Sequence, residues 1–356
     1  MTTIHGFDRF VGLEVEDAPR LLARMSTQDL GIDGQRYGIV TRLIARPEAS
    51  VVDLATAVVQ KLLRAGSDTV SQIGALVLSS RMVDVQEAAS ATVNRLGIEC
   101  PAYGVERACS GFPAATEVGL RLCREIHRPV AVVAAEVISG NINWEPPDDS
   151  AQDHQRARGQ ASKLFGDGAA AVLIRPGSVG SIHEILDAWI DDVADDKQLI
   201  QKAEIEDSHD PWGNCRPGAT GCISMPGRRG FYLVKRAPEI MANSVGKSLQ
   251  RASASIRAGQ SIAHVVPHQA NGLIINRLQS KLAESGHSTH VWDCIKDSGN
   301  TVSASIPLAM TEVQDQLPPG VLLAMPSVGA GGPGYRPHVL STGCVLVRTG
   351  SLNHGR

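Results

Sequence analysis

Two strand-then-helix strings recur along this 356-residue chain at nearly one spacing. Ile73-Gly-Ala-Leu-Val-Leu-Ser reads as a buried strand leading into a helical pattern over Val85–Leu96. Ile262-Ala-His-Val-Val-Pro-His reads as a strand leading into a helical pattern over Leu273–Leu282, and it begins 189 positions later. Ala131-Val-Val-Ala-Ala and Val321-Leu-Leu-Ala-Met form a second pair, 190 apart. A third pair, Gly168–Arg175 and Gly343–Arg348, is offset by 173 at its final arginines, so the second copy is shorter there. Two offsets within one residue of each other predict a unit of about 180 residues used twice. Strand–helix strings also recur at some spacing in any α/β chain, and that reading stays open here.

Each half alternates strands with helices, so both sheets are expected to be largely parallel and covered by helices. Aromatics are only 4% of residues and glycines number 35, so the core must come from Val, Ile, Leu and Ala. Two stretches interrupt the scheme. Asn141–Gly159 is polar with Pro146-Pro147, and Asp191–Gly227 turns from acidic to Gly- and Pro-rich. Long loops of this kind often shape a site.

Composition excludes several classes. The net charge of −3 offers no global field for nucleic acid or an anionic membrane. Apolar runs such as Val130–Ala135 fall far short of the ~20 residues a membrane helix needs, and Met1–Asp17 shows no signal-peptide pattern. Cysteines at 100, 109, 123, 215, 222, 294 and 344 have neither zinc-site nor disulfide-scaffold spacing, so free thiols in a reducing cytoplasm are expected.

Three polar residues stand out. Cys109, in Val105-Glu-Arg-Ala-Cys-Ser-Gly-Phe-Pro, precedes a helical run over Ala114–Leu122. Free N–H groups and the helix dipole at such a position favour thiolate. A small buried hydrophobe is the alternative. His268 follows the Ile262–Pro267 strand, at the end where open α/β sheets bind ligands; a plain loop histidine is the alternative. Asn300 precedes a run of small residues opening a helix over Leu308–Val313, 191 positions after Cys109. This predicts that Cys109 and Asn300 occupy related turns and meet His268 on a pseudo-symmetry axis; a helix N-cap is the alternative. His287 and His290 form an H-x-x-H without a third ligand, so no metal is expected. Gly329-Ala-Gly-Gly-Pro-Gly334 fits G-x-G-x-x-G by letters. Its internal proline and the absence of a following helix favour a loop offering N–H groups to an oxyanion. No role follows for Cys215 or Cys222.

ACSGF around Cys109, FGDGAAAVLI at Phe165–Ile174, VPHQAN at Val266–Asn271 and GNTVSASIP at Gly299–Pro307 together resemble ketoacyl-ACP synthase III of the thiolase superfamily. The likeness runs from about Gly38 to Val345. It implies an α/β, five-layer αβαβα fold from two duplicated halves, 1–176 carrying the nucleophile and 177–356 carrying His and Asn, and a homodimer. Cys109 would be the acylated nucleophile, and His268 and Asn300 would bind the thioester carbonyl of a second substrate. The N–H groups of Cys109 and Gly331 would hold the first oxyanion. CoA or phosphopantetheine thioesters would be substrates, with no resident cofactor. Arg36 aligns with a tunnel-mouth residue and Asn271 with a pantetheine contact, while Arg228 and Arg229 would meet phosphates or an acidic carrier protein. Ordinary solvated charge is the alternative for each arginine.

Some positions depart from the family. Leu273 stands where relatives often carry a basic residue, with Arg277 one turn on. Val328 replaces an aromatic near the nucleophile, and Val85 replaces a bulky residue that a dimer partner inserts into the acyl pocket. Two activities follow from the resemblance. One is decarboxylative condensation of an acyl-CoA with malonyl-ACP in fatty-acid or polyketide biosynthesis. The other is acyl transfer to a hydroxyl, an amine or a carrier in natural-product biosynthesis, with His268 as general base.

Overall fold

The computed structural model describes residues 5–7, 9–12, 24–26, 37–46, 48–65, 72–81, 83–141, 164–177, 183–194, 201–203, 222–224, 227–330 and 339–350. Ten strands carry the main sheet path. They are β1 (His5–Phe7), β2 (Ala75–Ser79), β3 (Ala102–Val105), β4 (Val130–Glu136), β5 (Gly168–Pro176), β6 (His183–Ala194), β7 (Ile262–Val265), β8 (His290–Val291), β9 (Leu322–Ala330) and β10 (Val339–Thr349). Among the described residues six α-helices accompany them: α1 (Val51–Ala65), α2 (Val85–Leu96), α3 (Gly111–Ile126), α4 (Gly227–Arg251), α5 (Gly272–Glu284) and α6 (Ser305–Val313).

The first five strands lie in the order β3-β2-β4-β5-β1 and the second five in the order β8-β7-β9-β10-β6. Each order is the other shifted by five labels. Antiparallel pairing of Gly6 with Glu184 and of Phe7 with His183 joins the two groups edge to edge. The expectation of largely parallel sheets is corrected. β3-β2-β4 and β8-β7-β9 are parallel, whereas β5 and β1, like β10 and β6, run antiparallel. Only eight residues separate β9 from β10, too few for the crossover that a parallel neighbour needs.

The strands are continuous apolar runs because both faces are covered, and successive residues feed different cores. Leu76 and Leu78 join Leu54 and Val58 of α1 and Ala89 and Val93 of α2. Val77 points the other way, into a cluster with Phe112 of α3 and Met310 of α6. On the second sheet, Leu323 and Met325 enter that same central cluster, while Leu322 and Ala324 pack with Met241 of α4 and Ile274 of α5. The layers are therefore α1/α2, first sheet, α3/α6, second sheet, α4/α5. Helix ends follow local rules: Asp84 caps α2 by accepting from Glu87 N–H, and Gly97 closes it at φ 65°. The stretch expected to be irregular from Asp191 instead begins as the end of β6, and Gln201–Ala203 pairs antiparallel with Cys222–Ser224.

Candidate active site

Cys109 sits in a single 3₁₀ turn, Ala108–Ser110, that runs directly into α3. Ala108 adopts φ 43°, a left-handed conformation uncommon for a residue with a Cβ. Serines pin the turn to β10. Ser110 Oγ donates to Ser341 O at 2.8 Å, and Ser341 Oγ donates to Arg107 O at 3.2 Å. Strand β9 presses on the turn from another side: a Cβ at Gly329 would stand 3.0 Å from Cys109 N and 2.9 Å from Ser110 N. Cys109 is 8% exposed and belongs to the same apolar cluster as Val328, Ala270 and Val302.

Burial pushes the Cys109 thiol up to about 12, and nearby Glu136 pushes the same way; Arg81 and the turn's own backbone oppose them. Burial thus opposes the thiolate that a helix N-terminus favours. Desolvation is the largest of these influences, and it acts against the charge that the helix N-terminus would favour.

A second turn matches the first. Val302 has φ 52°, Val302–Ala304 is 3₁₀, and α6 begins at Ser305. Ala108 and Val302 lie 194 positions apart. The counterpart of Cys109 is therefore Ser303, and the expected match with Asn300 is corrected by three residues. Ser303 Oγ donates to Oε1 of Glu136 in a short hydrogen bond, Ser303 N–H donates to the same oxygen at 3.3 Å, and Arg81 N–H donates to Oε2 at 2.9 Å. Glu136 is fully buried, and burial pushes its carboxyl up to about 8 against these donors. The turns pack against each other at Gly111, where a Cβ would fall 2.0 Å from Ser79 Oγ and 2.7 Å from Ser303 Cβ.

His268 is held beside β9. The ladder of β7 continues past its last strand residue, with Val266 N–H donating to Ala324 O and His268 N–H to Pro326 O, each at 2.9 Å. The imidazole is 2% exposed, and burial pulls it down to about 3, so it is neutral at ordinary pH. Its Nδ1 lies 2.6 Å from Ser305 Oγ, which also accepts from Gln269 N–H at 3.3 Å. Asn300 is fixed at both ends of its amide: Oδ1 accepts from Val302 N–H at 3.0 Å and Nδ2 donates to Ala270 O at 3.3 Å. It shapes the 3₁₀ turn and is not the N-cap of α6, where Ala304 stands. Pro326, Val328 and Gly329 of β9 thus link His268 to the Cys109 turn, and Ala270 links His268 to Asn300.

The other expected residues fall as follows. Asn271 is the N-cap of α5, its Oδ1 accepting from Ile274 N–H at 3.0 Å. Val328 is buried beside Cys109. Leu273 is half-buried against the α4/α5 cluster, a packing reason for an apolar residue there. Arg277 donates to Val234 O at 3.3 Å. Arg228 and Arg229 fall in the first turn of α4, with their side chains outside the described residues. Arg36, Gly331 and Cys215 also lie outside them. Asp167 of the FGDG string ties loops together, accepting from Ala45, Ile138 and Ser139 N–H at 2.7, 2.7 and 2.8 Å.

Sequence reasoning missed Ser303, Ser305 and Glu136. The only available signal for Glu136 was a lone charge ending an apolar strand. The two serines lay inside a quoted string whose register against the first half was misread. Among the described residues no group of three or more His, Cys, Asp or Glu is placed to hold a metal.

Two packed sheets around two central helices form a thiolase-like fold, in which one apolar cluster joins the Cys109 turn to Ala270 and Val302 beside His268 and Asn300. Residues 103–191 match the family model for 3-oxoacyl-[acyl-carrier-protein] synthase III, and residues 253–335 match the model for its C-terminal part. The chain is 30% identical over 307 residues to the 3-oxopimeloyl-[acyl-carrier-protein] synthase of Rhodothermus marinus, covering 83% of this chain and 81% of that one. It is 27% identical to the beta-ketoacyl-[acyl-carrier-protein] synthase III of Wolbachia sp. subsp. Brugia malayi, covering 88% and 89%. The crystal structure of 3-oxoacyl-(acyl carrier protein) synthase III from Pseudomonas aeruginosa PAO1 superposes with a TM-score of 0.71 at 23% identity, over 98% of this chain and 99% of that one. The chain belongs to the 3-oxoacyl-[acyl-carrier-protein] synthase III family, whose members are acyl-transferring condensing enzymes.

Proposed function

We propose that this protein takes an acyl group from an acyl-CoA or acyl-carrier thioester onto Cys109 and condenses it with malonyl-ACP, in fatty-acid or polyketide biosynthesis. In the first step the Cys109 sulfur bonds the acyl carbon, the substrate C–S bond breaks, and the thiol proton leaves with the departing thiol. The Cys109 N–H, with Gly331 as second donor, would hold the oxyanion. In the second step the malonyl C–C bond to carboxylate breaks, carbon dioxide leaves, and His268 and Asn300 hold the enolate oxygen. The new carbanion then attacks the Cys109 thioester carbon, the C–S bond breaks, and the released thiolate takes up a proton from solvent to restore the thiol. No resident cofactor enters this scheme.

The observation that carries this reading is the buried His268 held beside Asn300 on segments that share one apolar cluster with Cys109, its burial favouring the neutral imidazole. A general base works best with a pKa near the operating pH. A histidine this hard to protonate serves better as a hydrogen-bond donor to an enolate than as a base for a hydroxyl or amine acceptor. Non-condensing acyl transfer remains the second reading, supported by aliphatic Val328 beside Cys109.

Three related points belong to the same reading. The matching strand orders support one unit used twice, 1–176 and 177–356. A homodimer is supported by β3, which ends the sheet path with Tyr103 exposed. Cytoplasmic placement is supported by free Cys100, Cys109, Cys123, Cys294 and Cys344, and among the described residues no helix is long and apolar enough to cross a membrane.

Incubation with a panel of acyl-CoAs should give a mass adduct that Cys109→Ala loses. Malonyl-ACP should then release carbon dioxide. An adduct passed to an alcohol with no carbon dioxide would overturn condensation, and no adduct from any thioester would overturn both activities.

A further inference from the structure

The hydroxyl of Ser305 has two partners among the described residues, and they are not equivalent. Gln269 donates its backbone N–H to Ser305 Oγ at 3.3 Å, so the oxygen must accept there. The other partner is Nδ1 of His268 at 2.6 Å. Ser305 is 3% exposed and His268 is 2% exposed, so neither can turn to water. If Nδ1 carried the proton, Ser305 Oγ would accept twice and its own hydrogen would be buried with no acceptor among the described residues, a costly arrangement. If Ser305 donates to Nδ1, its hydroxyl both donates and accepts, and the proton of the neutral imidazole sits on Nε2, left to meet a substrate oxygen.

We infer that Ser305 is a positioning residue that fixes His268 as an Nε2–H donor toward the enolate oxygen. This inference rests on the condensing reading above and deepens it, because it names the residue that sets which nitrogen of His268 carries the proton. The location of Ser305 fits the role. It is the first residue of α6, one turn from Asn300 and two residues after the Glu136-bound Ser303. One short segment therefore supplies one candidate enolate donor and orients the other.

Nitrogen-15 NMR of the native protein labelled at histidine tests the tautomer directly. At neutral pH, His268 should show an unprotonated Nδ1 and a protonated Nε2. Ser305→Ala should shift the pair toward a mixture, and Ser305→Thr, which keeps the hydroxyl, should restore it. In paired assays Ser305→Ala should lower carbon dioxide release at least about tenfold relative to the rate of acyl-adduct formation, since a wrongly protonated histidine costs up to about 10⁴ in the Ser-His-Asp enzymes. A protonated Nδ1 in the native protein overturns the inference. So does an equal fall in both half-reactions, or carbon dioxide release that Ser305→Ala leaves unchanged. The native spectrum decides even where Ser305→Ala does not fold. Loss of the condensing reading would show separately, as a native protein that gives no adduct or no carbon dioxide.

Discussion

The turns at Ala108–Gly111 and Val302–Ser305 have one backbone and two chemistries. Both open with a left-handed non-glycine residue, at φ 43° and φ 52°, continue as 3₁₀, and enter a central helix. The first leaves a thiol in an apolar cluster beside Val328. The second commits its equivalent side chain, Ser303, to Glu136 and gives Ser305 to His268. Close packing at Gly111 fixes the shared shape. What each turn faces fixes its use: a strand backbone at Gly329 in one case, a buried carboxyl in the other. A left-handed residue costs on the order of 1–3 kcal/mol and persists only where surroundings enforce it, so the strain is evidence of the packing.

The largest expected effect separates the two turns outright. Cys109→Ala should abolish the acyl adduct, and adding Ser303→Cys to that variant should not restore it, by intact-protein mass spectrometry. An adduct at position 303 would break the distinction. Next, Asn300→Ala removes a donor from the second segment and should lower the condensation rate about 10²–10³-fold; a change below threefold in steady-state kinetics would remove Asn300 from the enolate site.

The groups around the turns also set a pH dependence. Burial holds His268 at about 3 and His183 at about 4, both below the ordinary 6.5. The unfolded chain takes up these protons first, so their stabilising contribution is whole above about 6.5 and is lost as pH falls through 6.5 toward 4 and 3. The loss is up to about tenfold in the folding constant per pH unit for each histidine. Glu136 has the opposite sign. Burial lifts it from 4.5 to about 8, so its contribution is whole below 4.5 and is lost as pH rises through 8. In Glu136→Gln, which removes the opposing carboxyl, urea midpoints that stay level from pH 7 to pH 5 would contradict the buried neutral histidines.

Smaller effects test the packing itself. Gly111→Ala should destabilise by about 1–3 kcal/mol through overpacking against Ser79 and Ser303, read as a lower urea midpoint. Ala108→Gly relieves the left-handed strain while loosening the unfolded chain, and should move stability by less than about 1 kcal/mol. A large loss there would mean that the Ala108 methyl, not the backbone shape, holds the first turn.

Strand and helix identities were legible because they are local. The run from Ala131 predicts β4 to within a residue at each end, and the Val85–Leu96 pattern matches α2. The three candidate residues were legible because each ends a readable strand or opens a readable helix, and the four strings quoted for the family gave its name. The register between the halves was not. The sequence pairs Cys109 with Asn300 at 191 positions, whereas the structure pairs Cys109 with Ser303 at 194. A three-residue difference in loop length is invisible to strand spacing.

The sequence by itself determined the repeated strand–helix plan and the thiol, imidazole and amide that the plan delivers to one end of its sheets. Only the tertiary structure decided their protonation and orientation. Burial sets Cys109, Glu136 and His268 apart from their ordinary pKa values, and burial is a property of all five layers together. The hydrogen bonds that orient the site join residues 37 and 167 positions apart, His268 to Ser305 and Glu136 to Ser303. No local pattern carries such pairs, because the sheet order that brings them together is a consequence of the whole chain folding at once.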